Sequence, residues 1–254
     1  MTDNSDTQEK LMSFWDHVEE LRRRLLVALV ALAVTTAASL TFADKIVVLL
    51  TQPIGGPGKL QAIEVTENVN VFLKVSLLSG FLLALPVILY ELLAFIIPGL
   101  KPGERRWLFL GVLFATLMFA LGVAFAYFVM LPNALPFLLN FLNIPTSPRP
   151  SSYFDFVISL LFWIGASFQT PLLIFILARF GVVNAADLLK YWRVAIVVIA
   201  IIAAVITPTT DPVNMSLLMA PLIALYFLSV LLAFVAQRRG KQDEQQQEVN
   251  DKTE

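Results

Sequence analysis

Forty-two consecutive residues, from Trp107 to Pro148, carry no charged side chain. A 254-residue chain has no core wide enough to hide such a stretch, so lipid is the solvent that fits it. Pro132 and Pro136 divide it into a span over about 107–131 and a connection. Asn140, Asn143 and Pro145-Thr146-Ser147-Pro148-Arg149-Pro150 read as a surface turn. Five more apolar runs surround it. Leu25 to Ala43 gives 19 uncharged residues between Arg24 and Asp44, close to the roughly 20 that cross a hydrocarbon core. A second run covers 71–97, with Pro86 inside it and Pro98-Gly99-Leu100-Lys101-Pro102-Gly103 ending it. The others cover 156–178, 194–206 and 213–236.

The expected fold class is therefore an all-α polytopic membrane protein with six transmembrane helices. Composition agrees, with 58% hydrophobic and 15% charged residues against roughly 25% charged in a soluble domain. Arg22-Arg23-Arg24 before the first run superficially resembles a cleavable signal peptide. The run is long for a signal's apolar region of about 7 to 15 residues, and an acidic leader precedes it, so a retained span is the better reading.

The fifth run, Val194 to Ile206, is only 13 residues long. At about 1.5 Å per residue it covers roughly 20 Å of a core about 30 Å thick. The turn Thr207-Pro208-Thr209-Thr210-Asp211-Pro212 joins it to the sixth run, so helices five and six read as a short hairpin. Such a hairpin thins the bilayer and leaves a concave face where Gln169 would reach water. Fourteen of the 18 Lys and Arg fall on one side, in the N-terminal segment, the loops around Lys101 to Arg106 and Arg179 to Arg193, and the tail. Lys45, Lys59, Lys74 and Arg149 fall on the other. The asymmetry places both termini on the cytoplasmic side of the plasma membrane. The expected domains are a cytoplasmic segment 1–24 with an amphipathic helix, a membrane domain 25–236, and a disordered tail 237–254.

The chain has no Cys and one His, which excludes disulfides, thiolate metal sites and paired-His sites, so neither a metal nor a cofactor is expected. A formal charge of −1 gives no reason to expect nucleic acid. A catalytic residue is not expected either, because an intramembrane enzyme would need a buried nucleophile and base. An ion-coupled small-solute transporter is the main rival class, and it would bring ionisable groups together near the midplane. Glu91 is the one candidate for that. Solute uptake by liposomes without any peptide would favour transport over peptide binding.

Leu11, Phe14, Trp15, Val18, Leu21 and Leu25 form an apolar stripe at helical spacing, with His17, Glu20 and Arg24 on the other face. Glu19 with Arg23 and Glu20 with Arg24 are i,i+4 pairs, ordinarily a solvated helix face. Glu91 lies near one end of the second run, where snorkelling to the interface is the plainer role and a functional site the alternative. Gln169 lies near the middle of the fourth run, between Ser167 and Thr170, and Pro171 frees a carbonyl one turn earlier. Its plain role is interhelical hydrogen bonding, and a contact for a peptide or partner helix is the sharper one. Asp211 most simply caps the sixth helix before Pro212.

Several motifs in order carry a family resemblance: His17-Val18-Glu19-Glu20-Leu21-Arg22-Arg23-Arg24-Leu25, Ala84-Leu85-Pro86-Val87-Ile88-Leu89-Tyr90, Phe95-Ile96-Ile97-Pro98-Gly99-Leu100 and Glu104-Arg105-Arg106. Gly122-Val123-Ala124-Phe125-Ala126-Tyr127-Phe128, Ser167-Phe168-Gln169-Thr170-Pro171 and Thr207-Pro208 continue it. From about His17 to Phe234 the chain resembles TatC, the twin-arginine translocase subunit.

The resemblance implies a receptor for signal peptides with two consecutive arginines, working with single-span TatA/TatB-type subunits in a multimeric complex to export folded proteins on the protonmotive force. It implies that carboxylates at Glu20 and Glu104 receive the arginines, with Arg22, Phe95 and Arg105 in the same binding region. It also implies intramembrane polar or partner contacts at Glu91, Tyr127, Gln169, Thr170 and Asp211. Relatives carry Glu at the position of Gln169, so a proton-linked role there is put in doubt. Chemically, two carboxylates at a partly dehydrated surface suit two planar guanidinium groups, which lysine ammonium groups fit poorly.

Overall fold

The computed structural model describes residues 14–96, 105–140, 146–207 and 212–251, and all regular structure among them is helical. Lipid leaves an apolar run one economical solution, a helix that satisfies its own backbone. The six runs are accordingly helical over most of their lengths, the fourth split between two helices. The elements are α1 (Phe14–Ser39), α2 (Ala43–Thr51), α3 (Glu67–Ile96), α4 (Arg105–Phe125), α5 (Leu131–Leu139), α6 (Pro150–Ser167), α7 (Thr170–Arg179), α8 (Ala185–Lys190), α9 (Trp192–Ile206) and α10 (Pro212–Asp251). Short 3₁₀ turns at Gln52–Ile54 and Pro57–Lys59 follow α2.

By length and apolarity four segments can cross a membrane: Glu67–Ile96, Leu108–Leu139, Pro150–Arg179 and Pro212–Gln237. A fifth results if α1 and α2, which meet at 78°, count as one bent span. The helix Trp192–Ile206 is apolar but shorter, as the 13-residue run foretold.

The helices α1 and α3 run antiparallel: as α1 rises from His17 to Ser39, its partners on α3 fall from Phe95 to Ser79. Small residues let the two backbones touch. A Cβ on Gly80 would lie 2.5 Å from the Cα of Thr36, the Thr35 hydroxyl donates to the Gly80 carbonyl at 2.8 Å, and the Ser39 and Ser79 hydroxyls hydrogen-bond each other. The crossing of α4 and α6 is equally close, since a Cβ on Gly122 would meet the Gly165 Cα at 3.0 Å. The main core gathers Met130, Leu131, Phe154, Leu160, Ile164 and Leu218.

The structure corrects three expectations. The third helix does not end near Leu131 but passes through a π-helical turn, Ala126–Met130, into α5 and on to Leu139. Pro132 falls in the first turn of α5, where its missing N–H costs little. The sixth helix is not short: its apolar part alone runs 26 residues, Pro212–Gln237, since no breaker but the tolerated Pro221 interrupts it. It continues to Asp251 through a segment expected to be disordered, where Gln, Glu, Lys and Arg are good helix formers. The helix α2 begins at Ala43, where the first apolar run ends. The hydroxyls of Tyr127 and Tyr153 donate to the Leu49 and Leu50 carbonyls at 2.8 and 2.7 Å, satisfying its last turn.

Candidate functional site

Where α1 begins and α3 finishes, the polar face of α1 turns toward α3 rather than to solvent. His17 stacks on Phe95, with ring centroids 4.4 Å apart. About two turns on, Arg24 joins the two helices. Its Nε and Nη2 donate to Glu20 Oε1 at 2.9 and 2.5 Å, and its Nη1 donates to Glu91 Oε2 at 3.1 Å. The pair of Glu20 with Arg24 follows from i,i+4 spacing; the bridge to Glu91 does not follow from spacing. Its physical reason is register, because antiparallel packing sets Arg24 beside Glu91, and a carboxylate in an apolar helix is held best by a facing cation.

The three side chains are 24%, 19% and 16% exposed for Arg24, Glu20 and Glu91, so the cluster is neither dry nor freely solvated. Glu20 Oε2 is buried and finds no hydrogen-bond partner among the described residues. A carboxylate oxygen shielded from water and left without a donor is an acceptor awaiting one. The apolar stripe of α1 faces outward, with Trp15, Val18, Leu21 and Leu25 all exposed, as a lipid-facing stripe requires. Arg22, Arg23 and Glu19 are exposed, and no ion pair joins Glu19 to Arg23 among the described residues. Glu104 lies outside the described residues, as does Asp211; Arg105 is the first residue of α4.

Three other intramembrane candidates, Tyr127, Gln169 and Thr170, lie elsewhere. Tyr127, in the π-helical turn, is committed to the Leu49 carbonyl. Gln169 sits in the break between α6 and α7, where its Nε2 donates to the Ala115 carbonyl of α4 at 2.9 Å while Oε1 is buried without a partner among the described residues. Thr170 donates to the Ser167 carbonyl at 2.6 Å, satisfying the group that Pro171 frees. An apolar groove of about 470 Å³ opens between α7, α8, α9 and α10, with Ser167, Thr170, Tyr191, Ile199 and Tyr226 among its walls. Gln169 is not among its walls; its amide is turned to α4.

At the opposite end of α3 stands a second one-arginine, two-glutamate cluster that the sequence did not announce. Arg149 donates from Nε to Glu67 Oε1 at 2.7 Å and from Nη2 to both Glu67 and Glu64, the latter at 2.9 Å. Hydrogen bonds to Glu64 and then Glu67 hold the Arg149 pKa above the ordinary guanidinium value. Ser151 and the Ile63 amide also donate to Glu67. Lys74 pairs with Asp155 at 2.5 Å nearby.

Comparison with known proteins gives a consistent result. The family model TatC, Sec-independent protein translocase protein, matches residues 16–221. The Sec-independent protein translocase protein TatC of Deinococcus radiodurans is 40% identical over 230 residues, 87% of this chain and 85% of that one. The chloroplastic TATC of Arabidopsis thaliana is 39% identical over 86% of this chain, which spans 65% of its length. A crystal structure of the twin arginine translocase receptor TatC superimposes with a TM-score of 0.71 at 33% identity, covering 87% of this chain and 99% of that one.

Proposed function

We propose a function from one premise: the chain belongs to the TatC family of Sec-independent protein translocase proteins. On this reading it is the receptor subunit of a twin-arginine translocase and binds Arg-Arg signal peptides at the cytoplasmic face. The observation that carries the reading is Glu20, a half-buried carboxylate with one oxygen unpartnered among the described residues, about one helical turn from His17, which stacks on Phe95 near the end of α3. A guanidinium stays charged at any physiological pH and can take such an oxygen in a charge-assisted hydrogen bond. Glu104, one residue before α4, supplies the second carboxylate, and Arg22, Phe95 and Arg105 belong to the same surface.

The chain then crosses the plasma membrane six times with both termini cytoplasmic, as the Lys and Arg asymmetry requires. It does no covalent chemistry. The signal's apolar part follows its arginines into the membrane, and single-span TatA/TatB-type subunits join a multimeric complex that moves folded cargo on the protonmotive force. The helix α9, at 15 residues, reaches roughly 22 Å and thins the lipid beside it, lowering the barrier to a polar cargo. Normal bilayer thickness around α9, measured by electron microscopy in nanodiscs, would remove that step. The central test is crosslinking of an Arg-Arg signal peptide to the full chain. Glu20→Ala combined with Glu104→Ala is expected to abolish it, and undiminished crosslinking would sink the assignment.

A further inference from the structure

We propose that Arg24 is a built-in occupant of the Glu20 acceptor, and that Glu91 is the carboxylate to which Arg24 withdraws when a peptide arginine arrives. This rests on the reading of Glu20 as a receiving carboxylate. Arg24 offers Glu20 the same group an incoming arginine would, and places two of its donors on the single oxygen Oε1. The other oxygen, Oε2, is left open. A bidentate grip on a second guanidinium needs both oxygens, so Arg24 must yield before the strongest contact can form. The third donor of Arg24 already rests on Glu91 Oε2 at 3.1 Å. Withdrawal is therefore a shift of weight between two carboxylates already in contact, with no charge stranded in lipid at any point.

Glu91 has no other evident reason to interrupt an apolar helix. The i,i+4 pair of Glu20 and Arg24 needs no help from α3, and a carboxylate within a spanning segment is costly to keep. As a parking place for Arg24 it sets the fraction of receptors with Glu20 open. Apparent affinity scales with that fraction, whatever cation the peptide carries.

The test measures binding of a synthetic peptide, an Arg-Arg pair followed by an apolar stretch, and of its Lys-Lys counterpart to the full chain in nanodiscs. Arg24→Gln is expected to tighten Arg-Arg binding roughly tenfold, and Lys-Lys binding by the same factor. Glu91→Gln is expected to weaken both several-fold, because Arg24 then has only Glu20. The double variant should bind like Arg24→Gln alone. A return of the double variant to wild-type affinity would mean that only net charge matters and would overturn the proposal. Arg24→Lys keeps the charge but not the forked geometry, so it should show part of the gain, and it answers the question even where Arg24→Gln does not fold. Unchanged or weaker binding by the folded Arg24→Lys protein overturns the proposal. Glu20→Gln separates the two levels: binding that survives it defeats the receptor reading itself, whereas binding lost there but unmoved by Arg24 substitutions defeats only the occupancy.

Discussion

The two ends of α3 carry the same three charges in two different conditions. At one end Arg149 lies across Glu64 and Glu67, the Glu67 side chain is 3% exposed, and both of its oxygens accept hydrogen bonds. At the other end Arg24 lies across Glu20 and Glu91, every member keeps some exposure, and one Glu20 oxygen has no donor among the described residues. Arg149 and Glu64 are 39% and 66% exposed, but the buried Glu67 carboxylate, with both oxygens paired, has nothing left to offer a ligand and can only hold segments together. A part-buried cluster with a spare acceptor can exchange partners. The difference is one of completeness rather than composition.

The largest expected effect comes from breaking the saturated end. Arg149→Ala leaves the Glu67 carboxylate buried without its cation, the most damaging way to disturb such a pair. We expect the detergent melting temperature to fall by about 5 °C or more, with peptide affinity unchanged in the protein that remains folded. A melting temperature within a degree of wild type would show that the cluster is not a clasp. Next in size is a control without charge. A Cβ on Gly165 would approach the Phe119 ring to 2.7 Å, so Gly165→Ala should cost about 1–3 kcal/mol through overpacking where α4 crosses α6. Thermal unfolding reads this cost, and it should leave both ion clusters and peptide binding intact. The open end should behave in the opposite way. Glu91→Gln removes one contact of a partly solvated cluster, so its stability effect should stay below about 1 kcal/mol while peptide binding changes several-fold. A large loss of stability with unchanged binding would make the two ends alike and erase the contrast.

How much of this was readable beforehand follows from where the information sits. That the apolar runs are helical was readable because a charge-free run in lipid has few backbone options, and Glu20 with Arg24 was readable because i,i+4 spacing belongs to one helix. The bridge to Glu91 was not, since it depends on the register of α1 against α3, which Gly80, Thr35 and the two serines set through contacts 40 or more residues apart in sequence. The Arg149 clasp is not legible in the sequence for the same reason, as Glu67 and Arg149 are separated by 82 positions. Pro132 and Pro136 suggested an end to the third helix, yet the π-helical turn places the first of them where a helix tolerates it. Glu104 and Asp211 lie outside the described residues, so the structure adds no placement to what the sequence says of them.

The smallest expected effect sharpens what makes an acceptor useful. Gln169 Oε1, like Glu20 Oε2, is buried with no partner among the described residues, but it belongs to a neutral amide whose other end is held by the Ala115 carbonyl. If an unpartnered oxygen alone drew the peptide arginines, Gln169 would matter to binding as Glu20 does. If charge at the membrane surface is required as well, it would not. Interhelical hydrogen bonds of this kind contribute about 0.6 kcal/mol on average, and Leu at this position would also bury the orphan oxygen's volume as apolar surface. Gln169→Leu should therefore change stability by less than about 1 kcal/mol and leave Arg-Arg peptide affinity where it was. An affinity loss comparable to that of Glu20→Gln would mean that the midplane amide, and not only the surface carboxylate, holds the peptide.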